Sequence, residues 1–307
     1  LGDSFFQGGH LQGTFYQWAL PLSCTVLFYG LAGGVWKQAA LTNAQFCLLM
    51  VAMKLLLNPA AWLASGRPAV RWNAFLRWTL LGQFFNGLAW IFYFRALESG
   101  PASLVQTITS AYTALAAILA MIFLRERLVT VQKVGIALVI AAGLMLSGGS
   151  GSLEWSGWFA SSLGTLLCWG VAVVIFKHAY NQEAANDAVF FIGNVLGMLC
   201  TMLPYGLLSL EGNWQGAAGL GLVVVALYAV GDLTLFAAIH RGPAAIVSPL
   251  SGLYPIPTIV YASVVLHESI TRMQWLATAM VLVAIVLVVP ADENPVRQWL
   301  QIGRAHV

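Results

Sequence analysis

The sequence predicts an all-α polytopic membrane protein, with ten transmembrane helices arranged as two inverted five-helix repeats. Three observations predict this fold class: an apolar composition, ten apolar segments of membrane-spanning length, and an internal repeat. Apolar residues make up 60% of the 307 residues and charged residues only 8%, whereas a soluble domain carries roughly a quarter charged residues. The net charge of +3 includes no dense basic cluster, so we expect no nucleic-acid partner.

The ten apolar segments set the order of the predicted helices. A helix needs about 20 apolar residues to cross the hydrocarbon core of a bilayer. The Gly/Ser-rich segment 147–152 separates five spans from five, so we predict repeats at 1–150 and 151–292 and a C-terminal tail at 293–307. We expect no cleavable signal peptide, because the first apolar segment leads directly into the others. The predicted spans are 15–36, 43–65, 73–96, 101–123, 129–148, 156–177, 186–210, 216–238, 243–266 and 272–290.

The internal repeat relates the two sets of five spans. The stretch "RALESGPASLVQ" at 95–106 recurs as "AAIHRGPAAIVS" at 237–248, a shift of 142 positions that also aligns Tyr112 with Tyr254. With a shift of 140, Tyr29 aligns with Trp169 at the start of two similar segments. Self-similarity at a fixed spacing indicates duplication of one structural unit.

An odd number of spans in each unit means that the second copy enters the membrane from the opposite side. With cytoplasmic termini, ten basic residues fall in predicted inside segments and three in outside segments, which agrees with the positive-inside rule. The outside residues are Lys37, Arg95 and Arg272. The inside residues are Arg67, Arg71, Arg77, Arg125, Arg127, Lys133, Lys177, Arg241, Arg297 and Arg304.

Two motifs repeat at equivalent places and carry a resemblance to a known family. Gly-Pro stands at 100–101 and 242–243, at the entrance to the fourth span of each half, and Glu126 and Glu268 follow that span. Together with the inverted five-helix repeat, this pattern resembles the drug/metabolite transporter superfamily, and each half resembles its EamA-type domain. The resemblance covers about residues 15–290, and the chain is most similar to YddG-type exporters of aromatic amino acids.

The resemblance implies a secondary transporter in a bacterial-type inner membrane, moving small metabolites outward without ATP hydrolysis or a cofactor. The implied partners are the lipid bilayer and a small substrate, most simply an aromatic or other neutral amino acid, and a monomer is compatible with the sequence. An exporter of other small metabolites or drugs, a passive channel and a membrane-embedded enzyme are the alternatives. An enzyme is disfavoured, because "HESIT" at 267–271 lacks the second His of a zinc protease and no G-x-S-x-G occurs. One departure from the family pattern is Gln45, where members often carry Arg.

Inverted repeats place a substrate site near the membrane midplane, between the halves. Polar and aromatic residues in the middle of predicted spans are therefore the candidates, especially those in matched positions. Polar residues of the fourth span form a stripe at helical spacing, which indicates either cavity lining or packing against neighbouring helices. The predicted substrate-binding residues are Tyr29, Lys54, Gln83, Asn86, Trp90, Gln106, Ser110, Tyr112, Trp169, Tyr228, Asp232, Ser248, Ser251 and Tyr254.

Two of these candidates, Lys54 and Asp232, are ionisable and lie deep within predicted spans. Such a group costs about 3 kcal/mol to insert at the bilayer centre and indicates function by default. Lys54 could hold a substrate carboxylate, and Asp232 an ammonium group or a transported proton. The alternatives are that the two pair with each other or that Lys54 extends towards the interface. Because the spans are otherwise nearly uncharged, small apolar or zwitterionic substrates are favoured over phosphorylated ones.

Other motifs predict architecture. Glu126 and Glu268 are expected to cap the fifth and tenth helices, where a carboxylate favours the N-terminal end of the helix dipole. "GNVLG" at 193–197 predicts a close helix contact through small residues. Prolines of the ninth span are expected to free backbone carbonyls at positions 245, 251 and 253.

Overall fold

The computed structural model describes residues 15–39, 41–123, 157–180, 182–210, 217–241 and 251–288, with short stretches between 130 and 142. Throughout these described residues the regular structure is helical. The helices are α1 (Phe15–Trp36), α2 (Asn43–Ala64), α3 (Ala74–Ser99), α4 (Ala102–Ser110), α5 (Tyr112–Phe123), α6 (Gly157–Tyr180), α7 (Asp187–Cys200), α8 (Met202–Leu208), α9 (Leu222–Arg241), α10 (Pro255–Val264) and α11 (Arg272–Val288). A short π-helical turn, Ala217–Gly221, precedes α9.

Helices lie along each predicted span except the fifth, 129–148, most of which is outside the described residues. Within the described residues, four segments are long and apolar enough to cross a membrane: Ala19–Trp36, Asn43–Ala64, Gly157–Tyr180 and Asp187–Leu208. Shorter apolar helices occur at Gly219–Leu235, Pro255–Val264 and Trp275–Ala284. The chain is therefore a multi-pass helical membrane protein, while the count of ten spans stays a prediction.

Two predicted spans are broken helices. The fourth breaks at Ala111, where Ser110 and Thr113 donate their hydroxyl hydrogens to carbonyls of their own helix; back-bonding of this kind bends helices. The seventh breaks at Thr201, because Pro204 has no N–H to donate to the carbonyl of Cys200. Discontinuous helices are common near the binding sites of transporters.

The prediction of free backbone carbonyls in the ninth span is wrong at the two positions that the structure describes. The carbonyl of Ser251 accepts from the N–H of Tyr254 at 3.4 Å, and that of Leu253 from the N–H of Ile256 at 3.0 Å. The chain forms a turn before Pro255, which begins α10. Because Pro is accommodated in the first turn of a helix, no interior hydrogen bond is lost there. Position 245 lies outside the described residues.

The halves interlock. The two most extensive helix contacts join α3 to α6 and α1 to α9, and the sequence repeat relates one contact to the other. The repeat likewise relates the contact between α1 and α10 to the contact between α4 and α6. Since all four contacts join one half to the other, the interior of the protein is the interface between its halves.

Glycine allows α7 to approach α3 closely. A Cβ at Gly197 would lie 2.9 Å from the carbonyl carbon of Gln83, and Gly193 faces the side chain of Thr79. The predicted small-residue contact at "GNVLG" is thereby confirmed.

At the start of α2, Gln45 completes a capping box: its N–H donates to Thr42 Oγ1 at 3.2 Å, and its Oε1 accepts from the Thr42 N–H at 3.1 Å. The residue that departs from the family pattern therefore has a local structural role.

Glu268 does not cap the tenth helix, so that prediction is wrong for this residue. Its carboxylate accepts from the N–H of Ala102 at 3.1 Å and from the Ser103 hydroxyl at 2.7 Å, at the start of α4. The N-cap residue of α4, Pro101, has no polar side chain, and the first N–H groups of a helix need an acceptor from elsewhere. Glu268 supplies it from the other half. Glu126 lies outside the described residues.

Candidate functional site

The candidate site is built around a buried ion pair. Lys54 on α2 donates from Nζ to Oδ2 of Asp232 on α9, and the hydroxyl of Tyr29 on α1 donates to Oδ1. Lys54 is 1% exposed and Asp232 7% exposed. Gly231 makes room for Tyr29, because a Cβ there would lie 2.6 Å from the Tyr29 ring. Of the alternatives that the sequence left open, the structure shows the two charges paired and Lys54 fully inside the protein, as buried charges require.

An aromatic cluster surrounds this pair. The ring of Trp90 lies 5.1 Å from that of Tyr228 and 5.3 Å from that of Trp169, both in edge-to-face geometry. Tyr29 lies 5.8 Å from Tyr228. The hydroxyls of Tyr93 and Tyr228 are 2.8 Å apart. Both halves contribute rings, and edge-to-face pairs add stability beyond the apolar area that they bury.

The fourth and ninth predicted spans contact each other reciprocally. The Tyr254 hydroxyl is 3.1 Å from Thr109 Oγ1, and the Tyr112 hydroxyl lies close to the Ser251 side chain. The shift of 142 that aligns Tyr112 with Tyr254 also aligns Thr109 with Ser251. Each contact is thus the repeat-related copy of the other.

The same relation holds for two ring contacts. Tyr112 packs on Trp169 at 5.6 Å and Tyr254 packs on Tyr29 at 6.3 Å, both edge to face. The predicted residues Tyr112, Ser251 and Tyr254 therefore lie where the halves meet, next to the aromatic cluster.

An amide network connects the aromatic cluster to α2. Trp169 Nε1 donates to Asn86 Oδ1 at 3.0 Å, and Asn86 Nδ2 donates to Gln83 Oε1 at 3.0 Å. Asn194 Nδ2 donates to the same Gln83 oxygen at 2.8 Å, and Asn58 Nδ2 donates to Asn194 Oδ1 at 2.9 Å. Asn58 lies one helical turn beyond Lys54. The network joins four helices of both halves, and among its atoms Gln83 Nε2 has no hydrogen-bond partner in the described part of the chain.

The remaining predicted residues have different surroundings. Gln106 is fully buried and lies close to the hydroxyls of Tyr93 and Tyr228, but among the described residues neither polar atom of its side chain has a partner in hydrogen-bond geometry. Its amide nitrogen and the Tyr93 hydroxyl both face Gly33. Ser110 donates to the carbonyl of Thr107 at 2.8 Å. The polar stripe of the fourth span is buried and its hydroxyls mostly bond within the helix, so packing describes it in this conformation. Ser248 lies outside the described residues.

Four residues of the site were missed from the sequence. Thr109 could have been found, because the repeat aligns it with Ser251. Asn58 could have been found from its position one turn beyond Lys54, on the same face of the helix. Asn194 is an amide within an apolar span, which is costly unless it is hydrogen-bonded. Tyr93 has no polar or aromatic counterpart in the repeat, and only the packing places it beside Tyr228.

A second charged region lies where α4 begins. A pocket of about 360 Å³ is lined there by Pro101, Ser103, His267 and Glu268, among others. Lys37, just after α1, lies close enough to the carboxylate of Glu268 to interact with it electrostatically. Burial lowers the pKa of Lys37 below its usual value, and the negative charges of Glu268 and Glu98 oppose that shift.

Two interlocked helical halves that enclose a charged and aromatic centre are typical of a secondary transporter. The sequence model of the EamA-like transporter family matches residues 17–148 and again residues 156–289. The chain therefore belongs to the EamA-like transporter family, within the drug/metabolite transporter superfamily.

Individual relatives are distant. An uncharacterized transporter from Archaeoglobus fulgidus is 24% identical over 136 residues, which are 43% of this chain and 48% of the relative. The alignment thus spans about half the length of that curated relative. A solved crystal structure matches 89% of this chain and 96% of its own chain, with a TM-score of 0.65 and 18% identity. At that identity the likeness shows the fold alone.

Proposed function

We propose that this transporter exports small zwitterionic amino acids, aromatic ones foremost, by alternating access at the site between its halves. The observation that carries the proposal is the buried pair of Lys54 and Asp232 beside an aromatic cluster. An amino acid offers the complementary set of groups: its carboxylate can replace Asp232 at Lys54, and its ammonium group can replace Lys54 at Asp232. The aromatic faces then suit a planar side chain by stacking or an ammonium group by cation–π attraction.

Replacing the two partners of the ion pair by a substrate costs least free energy when the substrate carries both charges. Removing one partner of a buried ion pair costs about 3–5 kcal/mol, because the other charge is left uncompensated. A zwitterion compensates both charges when it separates the pair, whereas an acid or an amine compensates one. At 1.4 kcal/mol for each factor of ten, a singly charged analogue should bind about 10² to 10³ times more weakly.

The direction and membrane are part of the same proposal. The excess of basic residues on one side of the predicted topology supports cytoplasmic N- and C-termini in a bacterial-type inner membrane. Substrate would then enter from the cytoplasm and leave on the opposite side. Export of other small metabolites or drugs of the superfamily is the second candidate, and the same assay separates the two.

Release of radiolabelled phenylalanine from proteoliposomes tests the proposal. We expect saturable release that external unlabelled tryptophan accelerates, with 3-phenylpropionate and phenethylamine as far weaker competitors. Parallel runs with and without a pH gradient show whether proton flow drives transport. Release that does not saturate would indicate a channel. No release above empty liposomes would remove amino acids as substrates and direct the search to other metabolites and drugs.

Two variants test whether Tyr112 and Tyr254, the tyrosines that make the reciprocal contacts, take part in amino-acid release. Tyr112→Ala and Tyr254→Ala each remove a hydroxyl–hydroxyl contact between the halves and a ring from the aromatic cluster. We expect each to reduce the initial rate about tenfold, equivalent to about 1.4 kcal/mol, with normal yield of folded protein. Tyr261→Ala is the matched control, since Tyr261 lies on α10 but donates to Gln38 in an exposed position. Full activity in both site variants would remove these tyrosines from the substrate site.

A further inference from the structure

Glu268 joins the two halves of the transporter at one end of the bundle. It lies in the linker between α10 and α11, whereas the groups that it accepts from belong to Ala102 and Ser103 at the start of α4. A third, longer contact runs from the N–H of Ser103 to Oε2 at 3.5 Å. A carboxylate at a helix N-terminus satisfies unpaired N–H groups and interacts favourably with the helix dipole. The contact therefore holds α4 against the opposite half.

The sequence repeat aligns each partner of this contact with a residue of the other half. The shift of 142 aligns Glu268 with Glu126, and it aligns Ala102 and Ser103 with Ala244 and Ala245. In a carrier built from inverted repeats, the halves exchange conformations when access switches from one side to the other. A contact at one mouth of such a carrier, with no repeat-related copy in the same state, must therefore break when that mouth opens.

The reciprocal tyrosine contacts behave differently under the same symmetry. Tyr254 with Thr109 and Tyr112 with Ser251 are copies of each other, and both are present in this structure. When the two halves exchange conformations, each of these two contacts takes the place of the other, so neither contact has to break. The centre can remain joined while the ends of the bundle open and close.

We propose that Glu268 is the positioning residue that keeps one mouth of the transporter closed, by capping α4 across the two halves. The proposal rests on the repeat and on membership in a transporter family, and it does not depend on which substrate is carried.

The turn that carries Glu268 is suited to this role. His267 has a φ of 53°, a left-handed conformation that few residues other than glycine adopt. The turn is fixed by the Glu268 N–H, which donates to the carbonyl of Ala262 at 3.0 Å. Backbone strain persists only where surrounding contacts hold it, and the cap on α4 is one such contact. Beside it lies the pocket of about 360 Å³, where opening can be monitored.

Cysteine labelling in proteoliposomes tests the proposal without any substrate. Leu104 lines the pocket and is 7% exposed, so Leu104→Cys reports opening when the native cysteines 24, 47, 168 and 200 are replaced. The probe is a membrane-impermeant maleimide, added to either side. We expect Glu268→Ala to raise the labelling rate about fivefold from the side where α4 begins, in line with the loss of one helix cap. Ser103→Ala, which removes only the hydroxyl contact, should raise it less.

Two comparisons make the result decisive. Glu183→Ala removes an exposed carboxylate from the α6–α7 connection and should leave labelling unchanged. Glu126→Ala, the repeat-related substitution in the first half, should not raise the labelling rate. Unchanged labelling in a folded Glu268→Ala protein would overturn the proposal. A rise in both Glu268→Ala and Glu126→Ala would also overturn it, since that would indicate general loosening.

Discussion

Separating the charges of the central ion pair should destabilise the protein strongly, and neutralising both should not. Lys54→Met leaves the Asp232 carboxylate buried with its Tyr29 hydrogen bond but without its counter-ion. Asp232→Asn leaves a buried ammonium group in the same way. Each change should lower the free energy of unfolding by about 3–5 kcal/mol. The double variant contains neither charge, so its stability should lie within about 1 kcal/mol of the original protein.

The measurement is a double-mutant cycle on purified protein in one lipid–detergent mixture. About 2–4 °C of melting temperature corresponds to 1 kcal/mol for chains of 150–250 residues. Each single variant should therefore melt roughly 6–20 °C lower, and the double variant should recover most of that loss. Lys133→Met removes an exposed charge and is the control. Strictly additive losses, or single variants as stable as the original, would refute the argument that these two charges depend on each other.

Two further predictions concern packing around the site. Asn194→Leu removes two buried hydrogen bonds, one to Gln83 and one to Asn58, although each of these amides keeps one other partner. It should lower stability by about 1–3 kcal/mol, and an unchanged thermal unfolding curve would contradict a role for the network. Gly197→Ala brings a Cβ to 2.9 Å from the Gln83 main chain and should reduce the yield of monodisperse protein in size-exclusion chromatography. Gly157→Ala, which meets nothing within 4 Å, should not, and equal yields would show that α3 and α7 can separate freely.

Symmetry in the sequence predicted more of the site than any single motif did. Tyr112 and Tyr254 were candidates because the repeat aligns them, and the structure brings both to the boundary between the halves. The same alignment relates Thr109 to Ser251, although it does not show which residues of one half face the other. Which of these residues meet depends on how α4 crosses the turn before α10, and only the packing of the two halves fixes that crossing.

The error over Glu268 has the same origin. From the sequence, a carboxylate just before a predicted helix most simply caps that helix, since local contacts need no knowledge of the fold. In the structure, the N-cap residue of α4 is Pro101, whose side chain offers no acceptor, and the linker of the other half brings Glu268 to this helix end. Sequence distance between the two partners is 165 residues or more, so no local rule could have paired them.

The sequence by itself determined the class of this protein. Its apolar composition, the length of its hydrophobic segments and its duplicated motifs are properties of the chain. They predict a helical membrane protein, because apolar segments of about 20 residues can cross lipid as helices that satisfy their own backbone groups. Only the tertiary structure decided which groups meet. Lys54 and Asp232 are 178 residues apart along the chain, and their attraction falls off too fast with distance to be inferred from sequence positions. The interlocking of the halves buries them together and makes them a pair.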